Sequence, residues 1–284
     1  MRMPKKFLLL SWLLLCAGLV RAQSEEARWA KWETEADTLM AREQFAEAAG
    51  LYSKIISESK LTEKDQYKTL YKRAICYYRI GELNKCLADL NRYLPEFPDN
   101  PKPHILRALV YRQQNDLANQ LADLQKAIIT LKGAAPELVR WRGALLLEQG
   151  DFEGAKKDFL SVAITGDDAE VETNLGVVYY SLGKPDSALS RINKAIVIDV
   201  NYPSSYVYAG TICLQEENYP LALKYLRLGL RVDPDNRNAQ FYTGVALVEL
   251  DQTEEGCRYL RKAFAAGEDE AAGYLKRDCF DVEK

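Results

Sequence analysis

The sequence predicts an all-α protein made of repeated helix pairs, and three observations indicate this fold class. In residues 203–236, apolar side chains recur at helical spacing in two stretches, with a polar run at 216–218 between them. Pro203 suits the first turn of a helix, and Pro234 between two aspartates ends the second stretch as a turn. The chain has no Asn-Gly or Asp-Gly hairpin turn and no alternating β-branched run, so no sheet is expected.

The same pattern returns at intervals of 33 to 38 residues, in seven segments that begin at residues 29, 67, 101, 136, 169, 203 and 237. Position 8 of every segment is small, which lets two helix backbones approach closely: Ala36, Ala74, Ala108, Gly143, Gly176, Gly210 and Gly244. Position 24 is always large and apolar: Tyr52, Leu90, Leu124, Phe159, Ile192, Leu226 and Leu260. These coincidences predict one helix pair that is repeated along the chain.

The pattern resembles a known family. Gly210 and Ala222 at positions 8 and 20, Tyr219 at position 17 and Pro234 at position 32 resemble the tetratricopeptide repeat, a helix–turn–helix of about 34 residues. The resemblance implies an all-α, right-handed α-α superhelix, a TPR solenoid, with a concave face that binds peptides. The implied repeats span residues 29–62, 67–100, 101–134, 136–169, 169–202, 203–236 and 237–270, followed by a capping helix in 271–284.

Several positions depart from the family pattern. Arg73, Arg107 and Arg142 occupy position 7, which is usually apolar in the family. Gln120 places an amide at position 20, where a methyl group is expected, so repeat 3 is predicted to pack less tightly. The link between repeats 1 and 2 is four residues longer than the common spacing of 34, which predicts that the second helix of repeat 1 extends through residues 57–66.

Residues 1–22 have the composition of a secretory signal peptide. Basic residues precede an apolar run from 7 to 20, and Val20 and Ala22 are the small residues that a cleavage site requires. We therefore expect an exported, periplasmic or envelope-associated protein that is cleaved after Ala22, with residues 23–284 forming one continuous domain. An uncleaved anchor is the alternative, although the run is shorter than the roughly 20 residues that span a bilayer. Lipid attachment at Cys16 is disfavoured because bulky Leu15 precedes it.

The charge of the chain excludes some classes of partner. Removal of residues 1–22 leaves 34 basic and 41 acidic residues, a net charge of −7. An acidic protein without a dense basic run has no global field that attracts nucleic acid or an anionic membrane. We expect neither as the main partner, and no membrane contact beyond the signal segment.

The sequence offers no catalytic or metal-binding constellation. The one histidine, His104, lacks a companion base or ligand, and neither GxxxxGK[ST] nor GxGxxG occurs. The sequence thus predicts neither an enzyme nor a bound cofactor or metal. Cys86 and Cys213 occupy core positions of their repeats, whereas Cys257 and Cys279 can either pair or remain thiols.

The family resemblance assigns a peptide-binding surface to the first helix of each repeat. The residues expected on or beside this concave face are aromatic, apolar or basic: Lys68, Tyr71, Lys72, Ile75, Tyr78, Arg79, Arg112, Arg140, Trp141, Tyr180, Tyr208, Phe241 and Tyr242. Large apolar groups on a solvent-facing surface indicate a partner that covers them. The alternative interpretation is that neighbouring helices bury some of them.

Two functions remain open at this point. The first is a scaffold that holds a peptide segment of a protein partner, for which an acidic-aromatic or C-terminal segment suits the basic residues. The second is a structural module that assembles with copies of itself into a homo-oligomer. Chaperone-binding members of the family grip a C-terminal carboxylate with lysine and asparagine; here Glu33 and Asp37 stand in repeat 1 instead, so that specialisation is not expected.

Overall fold

The computed structural model describes residues 27–58, 63–164 and 166–279, and these residues form fifteen helices joined by short turns. They contain no strand, so the predicted all-α class is confirmed. The predicted signal peptide, its cleavage site after Ala22 and the alternative lipid attachment at Cys16 lie outside the described residues.

The chain divides into two compact units between residues 134 and 135. The N-terminal unit contains α1 (27–41), α2 (Phe45–Glu58), α3 (Glu63–Arg79), α4 (Leu83–Tyr93), α5 (Pro101–Gln113) and α6 (Leu117–Thr130). The C-terminal unit contains α7 (Pro136–Gln149), α8 (Phe152–Ala163), α9 (Ala169–Ser181), α10 (Pro185–Ile198), α11 (Pro203–Gln215), α12 (Tyr219–Val232), α13 (Arg237–Glu249), α14 (Thr253–Ala265) and α15 (Ala271–Asp278). That residues 23–284 form one continuous domain stays a prediction.

The longer link between repeats 1 and 2 lengthens α3. Helix α2 reaches Glu58, and residues 63–66 belong to the start of α3. Residues 59–62 lie outside the described residues, so the extension of the second helix of repeat 1 stays a prediction. The Thr69 hydroxyl donates to the carbonyl of Asp65 one turn earlier. The Lys68 ammonium lies 3.6 Å from the Asp65 carboxylate. The first contact joins a side chain to the backbone one turn earlier. The second joins two side chains three positions apart, a spacing that supports a helix.

Each of the seven hairpins turns at a residue in the left-handed conformation. This residue is always position 15 of its repeat, with φ between 57° and 85°: Glu43, Gly81, Asn115, Gly150, Gly183, Glu217 and Asp251. Glycine adopts this conformation without steric cost, and asparagine and aspartate tolerate it. The second helix then starts two residues later, in several repeats behind a capping side chain. Asp151, for example, accepts a hydrogen bond of 2.9 Å from the Gly154 N–H at the start of α8.

Within the later hairpins the two helices meet where position 8 is glycine. A Cβ atom added to Gly176 would lie 2.4 Å from Ile192 Cγ1, and one added to Gly210 would lie 2.5 Å from Leu226 Cγ. These distances are too short for any side chain, so only glycine permits this helix separation. Ala222 at position 20 is fully buried on the facing helix. The close approach predicted from the small residues is therefore present.

A buried ion pair joins the two helices in repeats 2, 3 and 4. In each of them the arginine at position 7 donates two hydrogen bonds to an aspartate 16 residues later, at position 23: Arg73 to Asp89, Arg107 to Asp123 and Arg142 to Asp158. The Nε–Oδ2 distances are 2.8, 2.7 and 2.7 Å. The arginines that depart from the family pattern are thus hairpin contacts.

Repeat 3 extends its ion pair into a larger polar cluster. The His104 Nδ1 lies 2.8 Å from Asp123 Oδ1, and its Nε2 lies 3.1 Å from the carbonyl oxygen of Pro98. Burial disfavours the charge on Asp123, but hydrogen bonds from Arg107 and His104 outweigh burial and lower the pKa of Asp123. The Gln120 side-chain nitrogen is buried without a hydrogen-bond partner among the described residues. The looser packing of this repeat stays a prediction.

The C-terminal helix α15 covers the last hairpin. Phe241 and Val245 of α13 and Leu260 of α14 form one apolar cluster with Ala271 of α15. A disulfide between Cys257 and Cys279 links α14 to the residue that follows α15. The sequence left the pairing of Cys257 and Cys279 open, and the structure contains this disulfide. A helix also lies where the capping helix was predicted.

Candidate functional site

The predicted site residues belong to two separate sets, one in each compact unit. Helices α3 and α5 of the N-terminal unit carry Lys68, Tyr71, Lys72, Ile75, Tyr78, Arg79 and Arg112. Helices α7, α9, α11 and α13 of the C-terminal unit carry Arg140, Trp141, Tyr180, Tyr208, Phe241 and Tyr242.

Acidic side chains compensate the basic residues of α3. The Lys72 Nζ lies 2.8 Å from Glu33 Oε1 and 2.8 Å from Asp37 Oδ2. Burial disfavours the charged ammonium, but hydrogen bonds to Asp37 and Glu33 outweigh burial and raise the pKa of Lys72. The Arg79 guanidinium lies 3.5 Å from Glu43 and stacks over the Phe45 ring. The basic patch expected here is locally neutralised.

The aromatic and aliphatic residues of α3 are partly buried by their neighbours. The Tyr71 ring packs at 5.4 Å from the ring of Tyr93. Tyr71, Ile75 and Tyr78 all pack against the buried apolar cluster that contains Leu90 and Val110. The Tyr78 hydroxyl accepts a hydrogen bond of 3.3 Å from the Gln113 amide. The alternative interpretation, burial by neighbouring helices, therefore describes much of this surface.

Arg140 of α7 is also paired. Its Nη1 lies 3.0 Å from Asp168 Oδ2 and 3.2 Å from Glu170 Oε2. Trp141 beside it is half-buried, and Arg112 on α5 is exposed. A ligand carboxylate would have to displace Asp168 or Glu170 to reach Arg140, which weakens the case for an acidic ligand at this position.

Three of the predicted residues line one groove in the C-terminal unit. The groove has a volume of about 410 Å³ and lies along the first helices of repeats 5, 6 and 7. Tyr180 of α9, Tyr208 of α11 and Tyr242 of α13 contribute their rings, with Val177 and Val207 between them. The Tyr208 side chain is 42% exposed. The structure thus brings these tyrosines together.

Phe241 does not present its ring to this groove. It is only 4% exposed, because it packs against Tyr242 at 5.0 Å and edge-on against Tyr274 of α15 at 5.6 Å. The expectation that Phe241 forms part of an open aromatic surface is corrected: the capping helix covers it. Its neighbour Tyr242 remains at the groove.

Polar side chains that were not predicted from the sequence also line the groove. Ser204, Gln215, Asn236 and Asn238 complete its lining together with Thr211. Asn236 already caps α13, since its side-chain oxygen accepts a hydrogen bond of 3.0 Å from the Ala239 N–H. Ser204 and Asn238 stand at position 2 of their repeats, a position that the family resemblance places on the inner face. That signal could have identified both.

The groove is neutral inside and acidic at its edge. No described residue that lines it carries a charge. Burial raises the pKa of Tyr180, and the nearby Glu216 carboxylate raises it further. Burial likewise raises the pKa of Tyr242, with added contributions from Glu270 and Glu268. Both phenols therefore keep their protons at neutral pH, and Tyr180 donates its hydrogen bond to Glu216.

The free cysteines have no reactive setting. Cys76, Cys86 and Cys213 are buried. Burial raises the pKa of their thiols to about 11, 12 and 11 respectively, so thiolates do not form near neutral pH.

The described residues contain no cluster of His, Cys, Asp and Glu that could hold a metal ion. Among the described helices, none has the length and apolar character that a bilayer crossing requires.

Comparison with known proteins identifies the repeat. A family model of the tetratricopeptide repeat matches residues 68–100. A BBSome complex member BBS4 homolog from Drosophila melanogaster is 23% identical over 217 residues, covering 71% of this chain and 44% of that protein. An Hsp70-Hsp90 organising protein from Plasmodium falciparum is 34% identical over 100 residues, covering 34% of this chain and 39% of that protein. The chain spans less than half the length of these two relatives.

Solved structures show the same fold. The C-terminal part of a TPR repeat-containing protein from Cytophaga hutchinsonii superposes with a TM-score of 0.66 at 16% identity, covering 86% of this chain and 99% of that chain. Proteins of this kind act as protein–protein interaction scaffolds, and the fold is typically a non-enzymatic interaction module. Seven helix hairpins with shared packing positions, the matching family model and these structural relatives lead to one conclusion: residues 68–100 match the tetratricopeptide repeat, and the chain has the fold of tetratricopeptide repeat proteins.

Proposed function

We propose that this protein is an exported, non-enzymatic adaptor that holds a peptide segment of a partner protein in the groove between α9, α11 and α13. The observation that carries the proposal is the lining of that groove: three tyrosines with amide and hydroxyl side chains, in a cavity of about 410 Å³. Cavities of roughly 300–1,000 Å³ with a few polar groups are typical of binding sites.

The polar lining suits the backbone of an extended peptide. Such a peptide has an unpaired N–H and C=O at each residue, and these need partners when water is removed. Gln215 and Asn238 each offer both a donor and an acceptor, the Tyr208 phenol can donate, and the Tyr180 phenol oxygen can accept. The tyrosine rings add contact area at low cost in conformational entropy.

The charge around the groove favours a neutral or basic peptide over the acidic one expected from the sequence. Glu216 and Glu270 lie near the groove tyrosines. The basic residues that motivated an acidic ligand are occupied, Arg140 by Asp168 and Glu170 and Lys72 by Glu33 and Asp37. A basic residue of the ligand would meet favourable charge at the groove edge.

The test is selection of peptides from a random displayed library on the purified mature chain, followed by affinity measurement with synthetic copies. We expect neutral or basic peptides, and a loss of about tenfold or more in affinity on Tyr180→Ala/Tyr208→Ala. The matched control is Tyr78→Ala/Arg112→Ala on α3 and α5, which should change affinity little. If only the control variant lost binding, the binding site would lie in the N-terminal unit. If neither variant lost binding, the groove would not be the binding site.

Export is the second part of the proposal, and the disulfide supports it. Disulfides persist in oxidising compartments and are rare in the cytosol, and Cys257 and Cys279 are paired. The mass of the native chain tests this part directly. A chain that begins at Gln23 and lacks two thiol hydrogens is expected; a chain that keeps residues 1–22 would contradict cleavage.

Self-assembly through the groove is the competing function. Light scattering on the purified chain decides between the two. A monomer that binds selected peptides supports the adaptor, whereas an oligomer that dissociates on Tyr180→Ala/Tyr208→Ala supports the structural module.

A further inference from the structure

Helix α12 has an unusual charge composition for an acidic protein. Its charged residues are Lys224, Arg227 and Arg231, and it contains no aspartate or glutamate. All three side chains are exposed. They stand at spacings of three and four residues, so they lie on one face of the helix and extend over about 10 Å along its axis.

A groove follows this basic face. It has a volume of about 730 Å³ and lies outside the tyrosine groove described above, sharing none of its lining residues. Its apolar walls include Leu223, Leu228 and Leu230 of α12, and Tyr259 of α14 stands at its side. Because apolar walls lie beside a row of cations, this surface is complementary to a ligand that has both aliphatic side chains and negative charge.

Little of this positive charge is compensated within the described residues. Arg227 Nη2 lies 3.1 Å from Glu255 Oε1, but the two side chains are 48% and 35% exposed, so water screens this pair. No described carboxylate lies within ion-pair distance of Lys224 or Arg231. Lys262 of α14 adds a further cation over the Tyr259 ring, at 5.8 Å.

We propose that the groove along α12 binds an acidic, leucine-containing helical segment of a partner protein. Carboxylates three and seven positions apart on a ligand helix match the spacing of Lys224, Arg227 and Arg231. Aliphatic side chains on the adjacent turn enter the groove between Leu228 and Tyr259. This surface is independent of the tyrosine groove, so the protein has two faces of different charge preference.

A membrane fits this surface less well than a peptide does. Surfaces that lie on anionic bilayers insert projecting apolar side chains below their basic residues. Here Leu223 is buried and Leu228 and Leu230 are half-buried in the walls of a concave groove. A ligand must therefore reach into the groove, as a side chain does and a bilayer does not.

The test uses a labelled helical peptide of about 18 residues. The peptide carries three glutamates at the i, i+3 and i+7 positions with leucines beside them, and a control peptide has glutamine in place of each glutamate. We expect the mature chain to bind the glutamate peptide about tenfold more tightly than the glutamine peptide, with affinity that falls as salt is added.

Charge-reversed variants locate the surface. Lys224→Glu/Arg231→Glu should weaken binding of the glutamate peptide by about tenfold or more. The control Lys102→Glu/Lys126→Glu changes the net charge equally at exposed sites on α5 and α6, and should leave affinity within about twofold. Circular dichroism should show equal helicity for all three proteins, since every substituted residue is exposed.

Several results would overturn the proposal. One is equal affinity for the glutamate and glutamine peptides, and another is an equal loss in both variants. A third is sedimentation with phosphatidylglycerol vesicles that Lys224→Glu/Arg231→Glu abolishes while the peptide does not bind, which would assign the surface to a membrane. A fourth is a wild-type dimer that the same variant converts to a monomer, which would assign it to a second copy of this chain.

Discussion

Repeats 2 to 4 and repeats 5 to 7 form the same helix hairpin by different means. In repeats 2 to 4 an arginine at position 7 and an aspartate at position 23 make a buried two-bond ion pair. In repeats 5 to 7 those positions hold Leu175 and Arg191, Ala209 and Tyr225, and Thr243 and Tyr259.

The later hairpins depend on close packing. Gly176, Gly210 and Gly244 each face a large aliphatic side chain at a distance that leaves no space for a Cβ atom. Repeats 2 and 3 have alanine at the same position, Ala74 and Ala108. Removing one member of a buried ion pair lowers the free energy of unfolding strongly, because it leaves an uncompensated buried charge. In an apolar interface, the loss depends on how much the substitution disturbs side-chain packing. The two groups should therefore respond to mutation in different ways.

The largest effect is expected from breaking one ion pair. Asp89→Leu leaves the Arg73 guanidinium buried without its carboxylate and should lower the free energy of unfolding by about 3–5 kcal/mol. The double variant Arg73→Leu/Asp89→Leu imitates an apolar hairpin and should lose much less. Urea unfolding measures both. Equal losses in the two variants would show that the unpaired Arg73 guanidinium carries no penalty of its own and would contradict this expectation.

The disulfide stabilises only the apolar end of the chain. Cys257→Ser/Cys279→Ser opens a loop with a sequence separation of 22 residues and should cost about 3 kcal/mol. Thermal unfolding with and without reductant gives the comparison, because reductant should lower the melting temperature of the wild type and leave that of the variant unchanged. A reductant effect of the same size in the variant would exclude the disulfide as its cause.

A methyl group at a glycine contact tests the close approach. Gly176→Ala places a Cβ atom against Ile192 and should cost about 1–3 kcal/mol by overpacking. Gly50→Ala in α2 is the matched control, because no atom lies within 4 Å of its added Cβ. That substitution should stabilise the helix by about 0.5–1 kcal/mol. Stabilisation by both changes would contradict the contact described for the later hairpins.

The smallest effect is a gain at position 7 of repeat 7. The Thr243 hydroxyl is buried and has no hydrogen-bond partner among the described residues. Thr243→Val removes this unpaired group and should raise the free energy of unfolding by about 1 kcal/mol. Thr173→Val should instead lower it by about 1 kcal/mol, because that hydroxyl bonds to the Ala169 carbonyl and to Ser205. Urea unfolding of both variants is the measurement.

The candidate site shows where inference from one sequence is reliable and where it fails. Tyr180, Tyr208 and Tyr242 meet in one groove because they lie on or at the border of the inner face of successive repeats. Phe241 is one residue from Tyr242 yet is covered by α15, and no repeat pattern includes a helix that occurs once. The position of Tyr242 at the groove follows from the repeat pattern, whereas the burial of Phe241 depends on a helix outside the repeats.

The sequence by itself determined the class of fold, the period of the repeat and the positions where helices approach, because these properties depend on local patterns that recur seven times. Only the tertiary structure decided which charges meet. Lys72 pairs with Glu33 and Asp37, which lie 39 and 35 residues away, and Cys257 pairs with Cys279 across a turn. Coulomb attraction and disulfide formation depend on the distance between two groups in space. Spacing along the chain does not give that distance when the two groups lie on helices that are far apart in the sequence.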